Sequence, residues 1–144
     1  MRTSRIAVSL AAAAVIALTG TGAASAHGGS DNAALTASVT ADGNFTYADV
    51  YRSGNLIGWG IWSQDPTNGM PGDAMQAFDN YADGRGIVAH LSTGRTASTA
   101  GHPKGYATPW IGGDLPEDQT YYFWACSVND GVEDDCTNPV AVSS

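Results

Sequence analysis

The stretch that decides the fold runs from Tyr121 to Gly131 and reads YYFWACSVNDG. Its first eight residues are aromatic, small or β-branched, which is typical of a buried strand. The NDG triplet at 129–131 signals a turn, because these residue types adopt turn conformations at low cost. The chain then continues from Val132 to Val142, which we expect to return as the last strand. The stretch therefore predicts a β-hairpin near the end of the chain.

Cys126 and Cys136 lie nearly opposite each other in this predicted hairpin. A cross-strand disulfide between them is geometrically reasonable and suits an exported chain in an oxidising environment. Nine residues separate the two cysteines, so the closed loop is small and its entropic contribution is a few kcal/mol at most. Metal binding by the two thiols is the alternative. We expect the disulfide.

Alternating apolar and polar residues upstream of the hairpin indicate further strands with one buried face, at 35–41, 45–51 and 56–62. The second of these strands is rich in aromatic residues. In the third, Ile57, Trp59 and Ile61 share one side, and Gly58 and Gly60 share the other. Glycines in a strand leave room for the close approach of other groups.

Residues 73–91 permit two interpretations. The apolar residues that follow Asp73 fit helical spacing, with Asp73 as an N-cap. However, the Asp-Gly pair at 83–84 is a strong signal for a two-residue hairpin turn. We favour a hairpin in which Met75–Ala82 pairs with Arg85–Leu91 over a short helix.

These segments together predict an all-β fold, an antiparallel β-sandwich of seven or eight strands that occupies residues 34–144. Asp114–Gly131 resembles the E–F corner and F strand of fibronectin type III and immunoglobulin-like domains. The chain also resembles small exported actinobacterial proteins of unknown function, through the hairpin at Asp79–Gly84 and the strand pair at Tyr121–Cys136. The first resemblance implies an immunoglobulin-like sandwich. The second implies a fold and a compartment but no activity.

Residues 1–26 have the pattern of a cleaved secretory signal peptide: two arginines, a 13-residue apolar run and the small residues Ala24-Ser25-Ala26. The apolar run is too short to span a bilayer as a helix, and an uncleaved anchor is the alternative. We expect secretion to the extracellular space, no membrane insertion, and a flexible segment at 27–33 before the sandwich.

Loss of Arg2 and Arg5 with the signal peptide leaves four basic side chains against fourteen acidic ones, a formal net charge of −10. An acidic surface repels phosphate backbones and anionic lipids, so nucleic acid is not an expected partner. We expect an extracellular protein or a glycan instead.

Cleavage after Ala26 would expose His27, whose amine and imidazole nitrogens suit Cu(II). His90 and His102 are the candidates for a second imidazole ligand. A second candidate, for a calcium-like cation, is the acidic cluster of the hairpin, formed by Asp130, Glu133, Asp134 and Asp135. Its alternative is a solvated hairpin tip whose charges discourage aggregation. Neither copper nor calcium is required by the sequence, and we expect no cofactor.

Trp62, Tyr106 and Trp110 lie near loops rich in glycine and proline, where binding residues tend to occur. They are candidates for a platform that stacks against sugar rings, and core packing is the alternative. No nucleophile-elbow or zinc-protease motif occurs, and no pair of carboxylates stands out by spacing. The sequence thus favours a secreted, non-enzymatic binding or cell-surface structural protein, with a carbohydrate- or copper-binding module as the alternative.

Overall fold

The computed structural model describes residues 37–144 of the chain, with side chains from residue 43 onward. The predicted signal peptide at 1–26, the segment at 27–33 and the candidate ligand His27 lie outside the described residues. Within these residues the structure has nine strands: β1 Ala37–Asp42, β2 Phe45–Arg52, β3 Asn55–Ser63, β4 Ala74–Asp79, β5 Gly86–Leu91, β6 Thr96–Ser98, β7 Thr120–Asn129, β8 Val132–Asp134 and β9 Val140–Ser143. The described part of the chain contains no helix that is long and apolar enough to cross a membrane.

The strands form two antiparallel sheets, so the predicted antiparallel β-sandwich is confirmed. The first sheet has the order β1-β2-β3-β4, and the second has the order β6-β5-β7-β8, with β9 also paired to β7. The first sheet is therefore a meander of four consecutive strands. Immunoglobulin domains instead build this sheet from two separate parts of the chain. The immunoglobulin-like strand order that the resemblance implies is not the one observed.

The resemblance to immunoglobulin-like domains does hold locally, at the start of β7. The hydroxyl of Tyr121 donates a hydrogen bond to the carbonyl of Pro116, five residues upstream, at 3.3 Å. Immunoglobulin-like domains have a similar tyrosine contact at the corner before their F strand. A corner of this kind depends on local sequence, so it occurs here in a sandwich with a different strand order.

One hydrophobic core lies between the sheets and takes residues from both. The first sheet contributes Ala48, Val50, Ile57, Trp62, Met75 and Ala77, and the second contributes Ile87, Ala89, Leu91, Ala97, Phe123, Ala125 and Val142. Many of these side chains are alanine, which is unusually small for the interior of a sandwich. The two sheets consequently approach closely along this part of the core.

Gly58 and Gly60 are the residues of β3 that face the second sheet at this approach. A Cβ atom on Gly60 would lie 2.9 Å from the Cβ of Ala89 and 3.0 Å from Cζ of Phe123. The predicted role of these glycines, to permit close approach, is therefore the one they have. Because successive side chains of β3 point to opposite faces of the sheet, the half-buried Trp59 and Ile61 project from the outer face.

The free edge of β4 is covered by the segment 106–111, which links β6 to β7. Met75 and Ile111 exchange backbone hydrogen bonds of 2.9 and 2.8 Å, and the amide of Thr108 donates to the carbonyl of Ala77. This pairing satisfies backbone groups that an open edge would offer to another chain.

The predicted hairpin between Met75–Ala82 and Arg85–Leu91 is wrong in its pairing, although both segments are strands rather than helix. β4 pairs with β3, and β5 pairs with β6 and β7 in the other sheet. The Asp-Gly turn at 83–84 has the expected positive φ of 77° at Gly84. It turns the chain from one sheet to the other, because a turn signal specifies a local bend and not the partner of the strand that follows.

The predicted last strand, Val132–Val142, is divided into β8 and β9. β8 pairs with the end of β7, where Ser127 faces Asp134, and β9 pairs with the beginning of β7, where Phe123 faces Val140. Asp135 has a φ of 54°, so the chain leaves the extended conformation directly after β8. Thr137 restores hydrogen bonding to β7, since its amide donates to the Ala125 carbonyl and its hydroxyl accepts from the Ala125 amide.

We expect Gly60→Ala to reduce the free energy of unfolding by about 1–3 kcal/mol, the usual cost of overpacking a core. Gly60 has no positive φ, so the effect would come from the contacts with Ala89 and Phe123 alone. Chemical denaturation measures it. The control is Gly84→Asn, at a site where a Cβ meets nothing within 4 Å and where asparagine tolerates the positive φ. Equal stability of the Gly60→Ala variant and the unsubstituted protein would contradict the close approach of the sheets.

Candidate functional site

The outer face of the first sheet carries a group of large side chains that keep part of their surface in solvent. We call the group of Phe45, Tyr47, Trp59, Ile61 and Phe78 the aromatic face. All five are half-buried and lie on β2, β3 and β4. The register aligns them across the strands, with Tyr47 opposite Ile61 and Trp59 opposite Phe78.

The rings of the aromatic face contact one another. Trp59 and Phe78 are stacked, with ring centroids 4.3 Å apart and planes inclined by 23°. Phe45 and Tyr47 are tilted by 52° with centroids 6.4 Å apart. Such contacts between neighbouring rings fix the orientation of each side chain. The aromatic face is therefore an ordered set of rings on the sheet, with Asp49 of β2 directly opposite Trp59.

Trp110 lies on the segment that covers the free edge of β4. Its neighbour Ile111 pairs with Met75 and packs against the core. Trp110 is half-buried, and the adjacent Pro109 is exposed.

The prediction that Trp62 belongs to a sugar-stacking platform is wrong. Trp62 is 1 % exposed, its indole nitrogen donates to the carbonyl of Ser143 at 3.1 Å, and its ring packs against Phe123. Tyr106 is half-buried, and its ring is stacked on His102 with centroids 3.7 Å apart. The stacking roles predicted for Tyr106 and Trp110 stay predictions.

Sequence reasoning missed Trp59 and Phe78 as surface residues. It placed Trp59 and the two glycines on opposite sides of the strand without deciding which side is buried, and it did not pair β3 with β4. The signal was present in the alternation of Gly58 and Gly60 with Trp59. If the glycines face the other sheet, the tryptophan must point outward.

The outer face of the second sheet carries a different chemistry, centred on His90. The imidazole of His90 is stacked on Trp124 with centroids 5.0 Å apart and planes inclined by 11°. Its Nε2 atom lies 2.9 Å from Oε2 of Glu133. The ring is thus held by a stacking partner and by a carboxylate at the same time.

Cys126 shares this face with His90 and is bonded to Cys136, with their Cα atoms 3.9 Å apart. Cys126 is fully buried, whereas Cys136 is exposed. Nε2 or Nδ1 of His90, Sγ of Cys126 and a carboxylate oxygen of Glu133 all lie within 4.8 Å of one another. Among residues 37–144 this is the one group of three or more potential metal ligands, and in the disulfide form the sulfur is not available as a thiolate.

The predicted copper ligands are not brought together by the described residues. His90 lies in the second sheet, and His102 is exposed in the loop after β6, where it contacts Tyr106. His102 does not belong to the group formed by His90, Cys126 and Glu133. The copper hypothesis therefore depends on His27, which the structure does not describe.

Three of the four carboxylates of the predicted cation site contact basic side chains. Arg85 Nη1 donates to both oxygens of Asp134 at 2.7 Å, Arg52 binds Asp135, and Glu133 contacts His90. Asp130 is exposed at the hairpin tip with a φ of 49°. Arginines hold Asp134 and Asp135, and His90 contacts Glu133, so the described residues do not bring these four carboxylates together as one site.

These ion pairs also connect the two sheets, because Arg52 belongs to β2 and Asp135 follows β8. Burial favours a higher pKa of Asp134. The hydrogen bonds from Ser127 and Arg85, with the charges of Arg85 and Arg52, outweigh the effect of burial and lower the pKa of Asp134. Asp134 is therefore held in its ionised form by the fold.

The pKa of a second carboxylate, Asp79 at the end of β4, is shifted in the opposite direction, upward. Burial raises the pKa of Asp79, and the nearby charge of Asp83 adds to the rise, although the amide of Tyr81 donates to Asp79 and opposes it. The turn that carries Tyr106 is attached at this position, since the amide of Gly105 donates to the Asp79 carbonyl at 2.8 Å. Asp79 thus anchors a loop and does not face an open site.

An open depression of about 380 Å³ lies between the loop 64–73 and the segment 113–117. Asp73 lines it with a φ of 49°, its Oδ2 accepts from the amide of Leu115, and its Oδ1 is buried without a hydrogen-bond partner. Arg95 donates to the carbonyls of Asp73 and Gly113 and so joins the two loops. The carboxylates of this depression do not converge into a group of three metal ligands.

Comparisons of the chain with known protein families, with curated proteins and with solved structures give no match.

We expect Asp134→Asn to lower the melting temperature at pH 7, because the variant loses the charge that Arg85 and Arg52 contact. The pKa of Asp134 is lowered by folding, so its contribution is present above the pKa of the unfolded chain and is lost as the pH falls through the folded pKa. The difference between variant and unsubstituted protein should therefore shrink below about pH 4, the ordinary range of aspartate.

Thermal melts between neutral and acid pH measure this difference. Asp114→Asn, at an exposed carboxylate, is the matched control for loss of one negative charge. A difference that stays constant over the whole pH range would show that Asp134 contributes by packing and not by charge.

Proposed function

We propose that the chain is exported and that its aromatic face binds a neutral extracellular polysaccharide without catalysing a reaction. The observation that carries the proposal is the ordered set of rings on the outer side of the first sheet, with Trp59 stacked on Phe78. Export is supported by the signal-like pattern of residues 1–26 and by the disulfide between Cys126 and Cys136.

The chemistry of the aromatic face suits a sugar ring. The face of an aromatic ring carries partial negative charge, which attracts the slightly positive C–H groups on the flat side of a pyranose. Tyr47 and Phe78 lie on strands two positions apart, so their strands are separated by roughly 10 Å. A chain of sugars can therefore extend across the sheet and contact more than one ring.

The charge of the protein restricts the class of ligand. The sequence has a formal net charge of −8 at pH 7, and its acidic surface repels uronic-acid or sulfated polymers. The same charge opposes the packing of two copies face to face. A neutral polymer has no such penalty, so we infer a neutral polysaccharide as the occupant of the aromatic face.

A catalytic role is not part of the proposal. Asp134 and Asp135 are held by arginines, and Asp79 is buried at a loop anchor. The aromatic face supplies stacking surfaces, and Asp49 lies opposite Trp59 in the strand register. Binding by such a surface would hold the protein at a polymer without cleaving it.

We expect the unsubstituted protein to be retarded in native gels that contain a soluble neutral polysaccharide such as a β-glucan or a mannan, or to bind insoluble chitin or cellulose. Trp59→Ala should weaken that binding roughly two- to tenfold, since a stacking contact contributes about 0.5–1.5 kcal/mol and the variant also loses the stack on Phe78. Tyr47→Ala should weaken it as well.

The matched control is Tyr122→Ala, which removes a ring that is 52 % exposed on the second sheet. Binding by this variant should equal that of the unsubstituted protein. The proposal fails if the folded protein binds none of these polymers, or if Trp59→Ala and Tyr122→Ala have equal effects. Sedimentation of the free protein as a dimer that Trp59→Ala dissociates would identify the aromatic face as a self-association surface instead.

A further inference from the structure

We propose a redox-controlled zinc site on the outer face of the second sheet, formed by His90, Cys126 and Glu133 when the disulfide to Cys136 is reduced. The site is distinct from the aromatic face, which belongs to the other sheet. The two proposals can therefore be tested independently, and failure of one does not affect the other.

The three candidate ligands are already close together. Their ligand atoms lie within 4.8 Å of one another, and Nε2 of His90 is 2.9 Å from Oε2 of Glu133. In a tetrahedral zinc site with bonds of about 2.0–2.3 Å, neighbouring ligand atoms are roughly 3.3–3.8 Å apart. Side-chain adjustments of about 1 Å thus bring the group to zinc geometry.

The register explains why these residues converge. Val88 faces Cys126 and His90 faces Trp124 across β5 and β7, while Glu133 on β8 faces Val128. Alternation puts His90, Cys126 and Glu133 on the same side of the sheet. Each ligand is supplied by a paired strand, and Trp124 stacks on the His90 ring, so the group is preorganised.

The donor set selects the metal. One thiolate, one imidazole and one carboxylate are all ligands that zinc accepts, and three protein ligands leave the fourth position for water. Calcium and magnesium prefer oxygen ligands alone. The chemistry of the group therefore fits Zn²⁺.

The disulfide blocks this site because the bonded sulfur of Cys126 cannot act as a thiolate. Cys136 is exposed and Cys126 is fully buried, so an external thiolate reaches the sulfur of Cys136 first. Attack there forms a mixed disulfide with Cys136 and expels Cys126 as the thiolate, beside His90. Attack on Cys136 thus releases the Cys126 thiolate next to the other two candidate ligands.

The reductant is a dithiol. Its second thiol attacks its own sulfur in the mixed disulfide and releases Cys136, so the reductant ends as a disulfide and the protein gains two electrons and two protons. Cys126 then binds Zn²⁺ as a thiolate, and its proton passes to solvent. Oxidation of the two cysteines reverses these steps and expels the metal.

The test uses two single-cysteine variants in the absence of reductant, with Co²⁺ as a spectroscopic probe for zinc. Cys136→Ser leaves Cys126 as a free thiol in the group, whereas Cys126→Ser leaves Cys136 free outside it. We expect the first variant to bind one Co²⁺ with a thiolate-to-cobalt charge-transfer band, which Zn²⁺ removes by competition. The second variant should show no such band.

Two further substitutions in the Cys136→Ser background test the other ligands. His90→Ala and Glu133→Gln should each weaken Co²⁺ binding at least tenfold. Zn²⁺ should also raise the melting temperature of the Cys136→Ser variant, because the metal binds the folded state. Equal Co²⁺ affinity in the presence and absence of His90 would overturn the proposal.

The unsubstituted protein provides a second route that does not depend on a variant. Reduction with a phosphine, verified by a count of two free thiols, should produce the charge-transfer band, and the oxidised protein should lack it. The proposal is overturned if the band is absent from both the reduced protein and the Cys136→Ser variant. It is also overturned if the Cys126→Ser variant gives the same band as Cys136→Ser.

Discussion

The close approach of the two sheets at Gly60 is the constraint on which the rest of the structure depends. The space for a side chain on Gly60 is taken by Ala89, Phe123 and Ala125 of the other sheet. The two glycines of β3 bury little apolar surface of their own, so large core groups lie at other positions, such as Trp62 farther along β3 and Phe123 of the second sheet. The same alternation that turns the glycines inward turns Trp59 outward. The aromatic face is therefore a direct consequence of how the core is packed.

Ion pairs between charged side chains add a second connection between the sheets. Arg52 on the first sheet binds Asp135, which follows the last-but-one strand of the second sheet, and Arg85 binds Asp134. These side chains are partly exposed, so each pair contributes modestly to stability. Their role is to fix the position of the β7–β8 hairpin relative to the first sheet. Asp134 and Asp135 of the hairpin are in this sense structural, because arginines already contact their negative charges.

Most strands could be predicted from the sequence because alternation and turn residues are local properties. The pairing of strands could not, because it depends on distant parts of the chain. Asp83 and Gly84 bend the chain as expected, yet β4 pairs backward with β3 and the segment 106–111 occupies its other edge. The disulfide could be predicted from the sequence because both cysteines lie on one short hairpin. Trp62 was assigned to the surface and Trp59 to neither environment. The strand has Gly58 and Gly60 on one side and Trp59 on the other, and only the partner sheet decides which side is buried.

The two outer faces of the sandwich differ in chemistry because their sheets have different inner and outer residues. In the first sheet the large apolar side chains are displaced outward by the glycines, which leaves stacked rings such as Trp59 and Phe78 at the surface. In the second sheet the core takes Phe123 and Ala125, and the alternate positions of β7 carry Trp124 and Cys126, next to His90 of β5. Stacking on Trp124 limits the rotation of His90, and the pairing of β7 with β8 brings Glu133 to the imidazole. A polymer bound to the first face would leave the second face free, so a change in the redox state of Cys126 can alter metal binding without disturbing the aromatic face.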